Sequence, residues 1–231
     1  MTFWDLEGVP TILRYNQVLP PVFIKGTSMK AIAFDWGGIF TENTFDSSAV
    51  QNLSVLCHTT PEIIAKTYFP LMEEFEAGAF DFDSFYIKFV QHSSLEIDSG
   101  IFRKTFLGSV KERQAMFKVL NAIPKRYTVG MLSNNVPVLC DRVSTDSRFA
   151  RIEHFVFSNE IGVRKPEAKA FEHLSQALGV AAQDTVFIDD NRDNIAACEK
   201  LGFKGLYLDT FKGFLARWNN LLPDIALELT V

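Results

Sequence analysis

The chain has 231 residues, 47% of them hydrophobic and 22% charged, which suits one large globular domain or a core carrying a small second one and excludes disordered, collagenous and disulfide-scaffold classes. Its formal net charge is −5, and without a block of consecutive Lys or Arg a nucleic-acid partner is not expected. Cys57, Cys140 and Cys198 lack C-x-x-C or zinc spacing and read as reduced thiols. No run approaches the roughly 18 apolar residues of a membrane span, and Asp5 and Glu7 stand where a signal peptide needs positive charge. A cytoplasmic protein without a membrane partner is the expectation.

Residues 1–28, with Pro10, Pro20 and Pro21, show no sustained period and read as an irregular N-terminal extension. From Lys30 short apolar runs alternate with helical periods, the pattern of a parallel sheet with crossover helices. Strands are predicted at 30–34, 127–132, 154–157, 185–188 and 204–208. Met116, Val119, Leu120 and Ile123 mark an amphipathic helix near 111–123, and Phe171, Leu174 and Leu178 mark another near 166–178. Gly179 and Gly202 read as C-terminal caps, and Pro166 suits a first helical turn.

Residues 47–108 offer helical periods, Phe82, Phe85 and Phe89 among them, but no strand, and Thr60-Pro61-Glu62 is a helix start. The reading is an α/β, Rossmann-like core (29–46 and 109–231) with a small all-helical cap (47–108) inserted after the first strand. Such an insertion lies above the carboxyl ends of the strands, where open α/β sheets bind ligands. With 22 phenylalanines against three tryptophans and five tyrosines, packing through Phe side chains is expected rather than a base-stacking platform. A last helix over 211–222, through Phe214, Trp218 and Leu221 or Leu222, closes the core or serves an oligomer contact, in a monomer or homodimer.

Four short stretches carry chemistry. In FDWGGIF, Asp35 ends the first strand before Gly37 and Gly38, so a carboxylate can face a phosphate while loop amides, those of Trp36 and Gly37 among them, donate to it; a turn cap is the plainer reading. In MLSNN, Ser133 and Asn134 end the second core strand and offer a hydroxyl and an amide to a phosphoryl oxygen, or a helix N-cap. In GVRKPEA, Lys165 is a surface charge or, at the sheet edge, a cation between a nucleophilic carboxylate and a phosphate. In TVFIDDN an apolar strand delivers Asp189 and Asp190 together, a costly pair unless a cation offsets it. Mg²⁺, which prefers one or two carboxylates, water and phosphate oxygen, fits that set; an exposed acidic pair is the alternative.

In that order these stretches resemble the four motifs of the haloacid dehalogenase-like hydrolases over about residues 29–210. SNEIGVRKPEAKAFEH, DTVFIDDNRDNIAA and FEAGAFDFDSF are similar to the branch containing bacterial α-D-glucose-1-phosphate phosphatase and the phosphatase domain of soluble epoxide hydrolases. The resemblance implies an Asp35 nucleophile that forms an aspartyl-phosphate, with Ser133, Lys165 and the amides of Trp36, Gly37 and Asn134 holding the phosphoryl group of a small phosphorylated substrate. It also implies Mg²⁺ on Asp35, the Gly37 carbonyl and Asp190, with Asp189 direct or through water.

Most phosphatases of this superfamily carry a second Asp, a general acid–base, where this chain has Gly37; Glu42 and Asp46 are downstream candidates for that task, and a leaving group that needs little protonation is another answer. Two alternatives remain open on this sequence: a metal-independent 2-haloacid dehalogenase, and a catalytically weak binding module. Phosphonatase chemistry would need a cap lysine, for which Lys66 and Lys88 are present. His58, His92, His154 and His173 show no triad or metal spacing, and no role is assigned to them.

Overall fold

The three central strands of the sheet are short apolar runs buried on both faces, and the two edge strands are half-buried. In the computed structural model, which describes residues 29–228, β1 (Ala31–Phe34), β2 (Thr128–Ser133), β3 (His154–Phe157), β4 (Thr185–Asp189) and β5 (Lys204–Tyr207) form one parallel sheet in the order β3-β2-β1-β4-β5. The expected extension at 1–28 lies outside the described residues.

Because β2 and β3 are laid to one side of β1 and β4 and β5 to the other, the order reverses at β1, and a crevice opens between the carboxyl ends of β1 and β4. Register puts Phe34 beside both Met131 and Ile188, so the chemistry-bearing residues that follow β1 and end β4 emerge side by side.

Alternation along the strands divides the core. Ile32, Phe34, Val129, Met131, Val186 and Ile188 face one layer, made by α5 (Gln114–Ala122), α6 (Pro137–Thr145) and α10 (Phe211–Leu221). Ala31, Ala33, Leu132 and Phe187 face the other, made by α8 (Ala168–Leu178) and α9 (Arg192–Lys200). Between β3 and α8 runs the four-residue α7 (Ser158–Ile161). Gly130 lets α8 lie close on β2, since a Cβ there would stand 2.8 Å from Leu178. Gly179 ends α8 at φ +63°, the left-handed cap expected. Pro166 does not open the helix. Arg164 and Glu167 first close a turn (Glu167 N to Arg164 O, 2.9 Å), the Lys165–Pro166 peptide is cis, and α8 begins only at Ala168.

The stretch after β1 is all-helical, as expected: α1 (Phe45–Leu56), α2 (Pro61–Glu76), α3 (Phe82–Ser93) and α4 (Ser99–Leu107). Thr44, Asp81 and Asp98 cap α1, α3 and α4 through their side-chain oxygens. Tyr68, Phe75, Phe82, Phe85, Phe89, Phe102 and Phe106 form its centre, and they are continuous with one face of the sheet through Phe45 and Trp36. The ring of Phe85 has six aromatic neighbours at 4.9 to 6.4 Å. Truncating it leaves a cavity those rings cannot fill, so Phe85→Ala should cost about 3–5 kcal/mol of unfolding free energy. Urea denaturation checks this, and a loss below about 1 kcal/mol would show that the helices do not depend on the aromatic cluster.

Candidate active site

Asp35 is the first residue past β1, with its amide donating to Ile188 O at 2.8 Å, so its position is set by the ladder itself. Its Oδ1 accepts from the Trp36 amide at 2.7 Å and lies 2.9 Å from Lys165 Nζ. The same ammonium reaches Asp189 Oδ2 at 2.7 Å. Lys165 is only 4% exposed and is no surface charge. Asp189, fully buried, is spent on structure: Oδ2 also accepts from Asn194 Nδ2 at 3.0 Å, and Oδ1 from the Asn191 amide at 2.8 Å. The exposed-pair reading of Asp189 and Asp190 therefore fails for Asp189. Oxygens of Asp35, Asp189 and Asp190 lie within 4.8 Å of one another.

Backbone detail holds this cluster in place. Gly38 adopts φ +70°, and a Cβ there would stand 1.8 Å from Asp190 Oδ2, so only glycine permits the loop to fold against that carboxylate. Arg113 ties the loop down, donating from Nη2 to Gly38 O and Glu42 O and from Nε to Ile39 O, each at 3.1 Å. Asn134 grips the backbone of Lys165 with both ends of its amide: Nδ2 donates to Lys165 O at 2.9 Å and Oδ1 accepts from Lys165 N at 2.8 Å. The N-cap reading of Ser133 and Asn134 does not hold, since α6 starts only at Pro137 with Val136 as its cap.

A cleft of about 430 Å³ opens over these groups. Asp35, Trp36, Gly37, Asn134, Lys165 and Asp190 line it; Ser133 and Asp189 lie behind its surface. From the helical layer come Phe45, Asp46, Met72 and Glu76, and from the segment before Lys165 comes Arg164. Tyr68 donates to Asp46 Oδ1 at 2.8 Å. Arg164 places Nε at 2.9 Å and Nη2 at 2.6 Å from Glu76 Oε2. Glu42, by contrast, pairs with Lys111 and does not line the cleft. Lys66 and Lys88 also lie outside its lining, which leaves the phosphonatase reading without a lysine.

The charges do not balance. Burial pushes Asp35 up to about 7 against the pull of Lys165, and the Asp189 and Asp190 carboxylates push it further the same way. Burial and Asp189 raise Asp190 to about 6. Burial would lower Lys165, but Asp189 and Asp35 outweigh it and hold its ammonium above the ordinary range. Three carboxylates around one ammonium leave negative charge to be offset, and Asp35 and Asp190 both open to the cleft. That donor set, all oxygen and over-charged, fits a hard divalent cation.

Sequence reasoning missed Arg164, Asn194 and Glu76. The first two stand inside motifs already singled out, GVRKPEA and IDDNRDNI. Glu76 had a subtler signal: it follows Ile64, Tyr68 and Met72 at four-residue steps along the buried stripe of α2.

Residues 29–202 match the family model of haloacid dehalogenase-like hydrolases. The chain belongs to that family. Among curated proteins it is 26% identical over 196 residues to the sesquiterpene phosphatase astK of Aspergillus oryzae, covering 79% of this chain and 91% of the relative. Among solved structures, the HAD family enzyme bt-2542 of Bacteroides thetaiotaomicron, in complex with magnesium and inorganic phosphate, aligns with a TM-score of 0.67 at 17% identity over 78% of this chain and 94% of its own. The L-2-haloacid dehalogenase PA0810 aligns with a TM-score of 0.60 at 16% identity over 81% and 87%. At such identities the structures establish the shared fold. Among the described residues no helix is long and apolar enough to cross a membrane.

Replacing Lys165 by Met strands two buried carboxylates, and a loss of about 3–5 kcal/mol is expected near neutral pH. Lys165 holds Asp35 down against burial, so without it that carboxyl keeps its proton to a higher pH than in the parent, and the loss should grow as pH rises from about 7 towards about 9. Denaturant titrations of Lys165→Met and the parent at both ends of that window check the magnitude and its direction.

Proposed function

We propose that this haloacid dehalogenase-like hydrolase is a Mg²⁺-dependent phosphatase acting on a small phosphorylated molecule, with Asp35 as nucleophile. The observation that carries the reading is the buried Lys165 ammonium shared by Asp35 and Asp189 beside the unspent carboxylate of Asp190. Asp35 Oδ1 is taken by Trp36 and Lys165, so Oδ2 is the oxygen that attacks phosphorus in line. The ester P–O bond breaks as the aspartyl-phosphate forms, and water then hydrolyses that intermediate. Lys165, with the Gly37 and Asn134 amides and Ser133 behind them, holds the transferring phosphoryl group, and Asn134 keeps Lys165 in place.

Asp35, Asp190 and the Gly37 carbonyl would hold the ion, with Asp189 supporting them through Lys165 and Asn194. Bound there, Mg²⁺ supplies charge neutralisation for the phosphoryl oxygens. The excess of carboxylates favours this over the metal-independent dehalogenase. Helices α1 to α4 act as the cap, bringing Phe45, Asp46, Met72 and Glu76 to the side where the leaving group sits.

The substrate's organic part meets an apolar wall of Trp36, Phe45, Met72, Val136 and Leu139 and a polar corner of Asp46, Glu76 and Arg164. The apolar wall, together with the Aspergillus relative named a sesquiterpene phosphatase, supports a largely hydrocarbon phosphate over a sugar phosphate. A panel containing both classes, with and without EDTA, tests the proposal: phosphate release should require Mg²⁺, favour a prenyl-type monophosphate and vanish in Asp35→Asn. Metal-free halide release from a 2-haloacid would overturn it.

Mg²⁺ and protons compete for Asp35 and Asp190. Without the ion, these raised carboxyls make the fold less stable as pH climbs from about 4 to about 7. Added Mg²⁺ should therefore raise the melting temperature several degrees more near pH 8 than near pH 5. An equal shift at both would show that the ion binds elsewhere.

A further inference from the structure

A phosphatase acting on an alkyl ester must protonate the oxygen that leaves, and the first motif has no acid for it at Gly37. Space is not the reason. A Cβ built on Gly37 meets nothing within 4 Å, and the residue lines the cleft. For such an ester the proton has to come from another group on the cleft.

Two carboxyls from the helical layer line the same cleft, Asp46 at the start of α1 and Glu76 at the end of α2. They are electrostatically linked, so one tends to hold the proton the other gives up. The Tyr68 hydroxyl donates to Asp46 Oδ1 at 2.8 Å, which favours Asp46 as the anion. Burial raises Asp46 and Glu76 alike, and Asp46 pushes Glu76 up further against the pull of Arg164, so a proton can sit on Glu76 near neutral pH. Arg164 places both its contacts on Oε2, and Oε1 makes no hydrogen bond among the described residues.

Resting on the phosphatase reading above, we infer that Glu76 is the general acid of this chain, giving its Oε1 proton to the leaving oxygen in place of the carboxylate absent at Gly37. As Asp35 forms its bond to phosphorus, the ester P–O bond breaks, the ester oxygen takes that proton, and a neutral alcohol leaves. Glu76 is then a carboxylate, stabilised by Arg164. It takes a proton from the water that attacks the aspartyl-phosphate, which releases inorganic phosphate and restores both carboxyls.

The groups facing Glu76 agree with this role. Burial and the neighbouring Asp46 raise it, Arg164 on the segment before α8 opposes them, and Asp35 adds to the rise, leaving it at about 7. Such a value suits a donor at neutral pH.

The discriminating experiment varies the leaving group. An alkyl phosphate needs the proton, and an aryl phosphate with an acidic phenol does not. In Glu76→Gln, whose amide oxygen still accepts from Arg164, alkyl phosphate turnover should fall about 10²-fold or more while aryl phosphate turnover falls far less. Gly37→Asp added to that variant should recover much of the alkyl rate. Equal losses on both esters, or an unchanged alkyl rate, would overturn the assignment. The unmodified enzyme gives an independent reading: kcat for the alkyl ester should decline above about pH 7 where kcat for the aryl ester does not, and matching profiles would count against Glu76 even if the variant failed to fold. A wild-type chain inert towards both esters with Mg²⁺ present would instead remove the phosphatase reading itself.

Discussion

The ammonium of Lys165, out of water and within 3 Å of both Asp35 and Asp189, is the contact on which the rest of the site depends. Asp189 at the end of β4 and Asp35 just past β1 are brought together by the sheet register, and without a cation between them the crevice would hold two uncompensated charges. Much nearby architecture serves to keep that cation in place. Asn134 clasps its backbone, Asn194 and Asn191 complete the oxygens of Asp189, and the ring of Phe187 lies 5.3 Å beneath the nitrogen. The same arrangement leaves Asp190 without an ion pair of its own among the described residues, so the crevice carries more carboxylate than ammonium.

The fold was legible because its strands are apolar on both faces and its turns carry strong punctuation. All five expected strands appear within a residue or so of their anticipated ends, since a buried parallel strand writes itself as an uninterrupted apolar run. The helical insertion was legible from its Phe period, although α1 begins at Phe45, two residues before the anticipated boundary at 47. Pro166 misled because a proline before a helical period serves a preceding turn as well as a first helical turn, and the hydrogen bond between Glu167 and Arg164 decides between them.

Local spacing reveals residues on the strand ends but not those delivered from another layer. Asp35, Asp189 and Asp190 each follow or end a recognisable apolar run, whereas Lys165 is marked only by the proline after it and by the order of the motifs. What spacing did not give was the division of labour: Asp189 is occupied by three donors, whereas its neighbour Asp190 faces the cleft. Glu76 and Arg164 sit 88 positions apart and meet only because α2 ends beside the segment that precedes α8. A charged residue in register with Ile64, Tyr68 and Met72 was the one trace of that meeting visible beforehand.

The cleft is built by two parts of the chain. Strand ends and the loops beside them furnish Asp35, Lys165 and Asp190, while α1 and α2 furnish Phe45, Asp46, Met72 and Glu76. Exchanges at Phe45 or Met72 alter the volume and apolarity of that side of the cleft without removing any hydrogen bond to Lys165 or Asp189. New specificities can thus arise through two helices alone, with the charged cradle inherited unchanged.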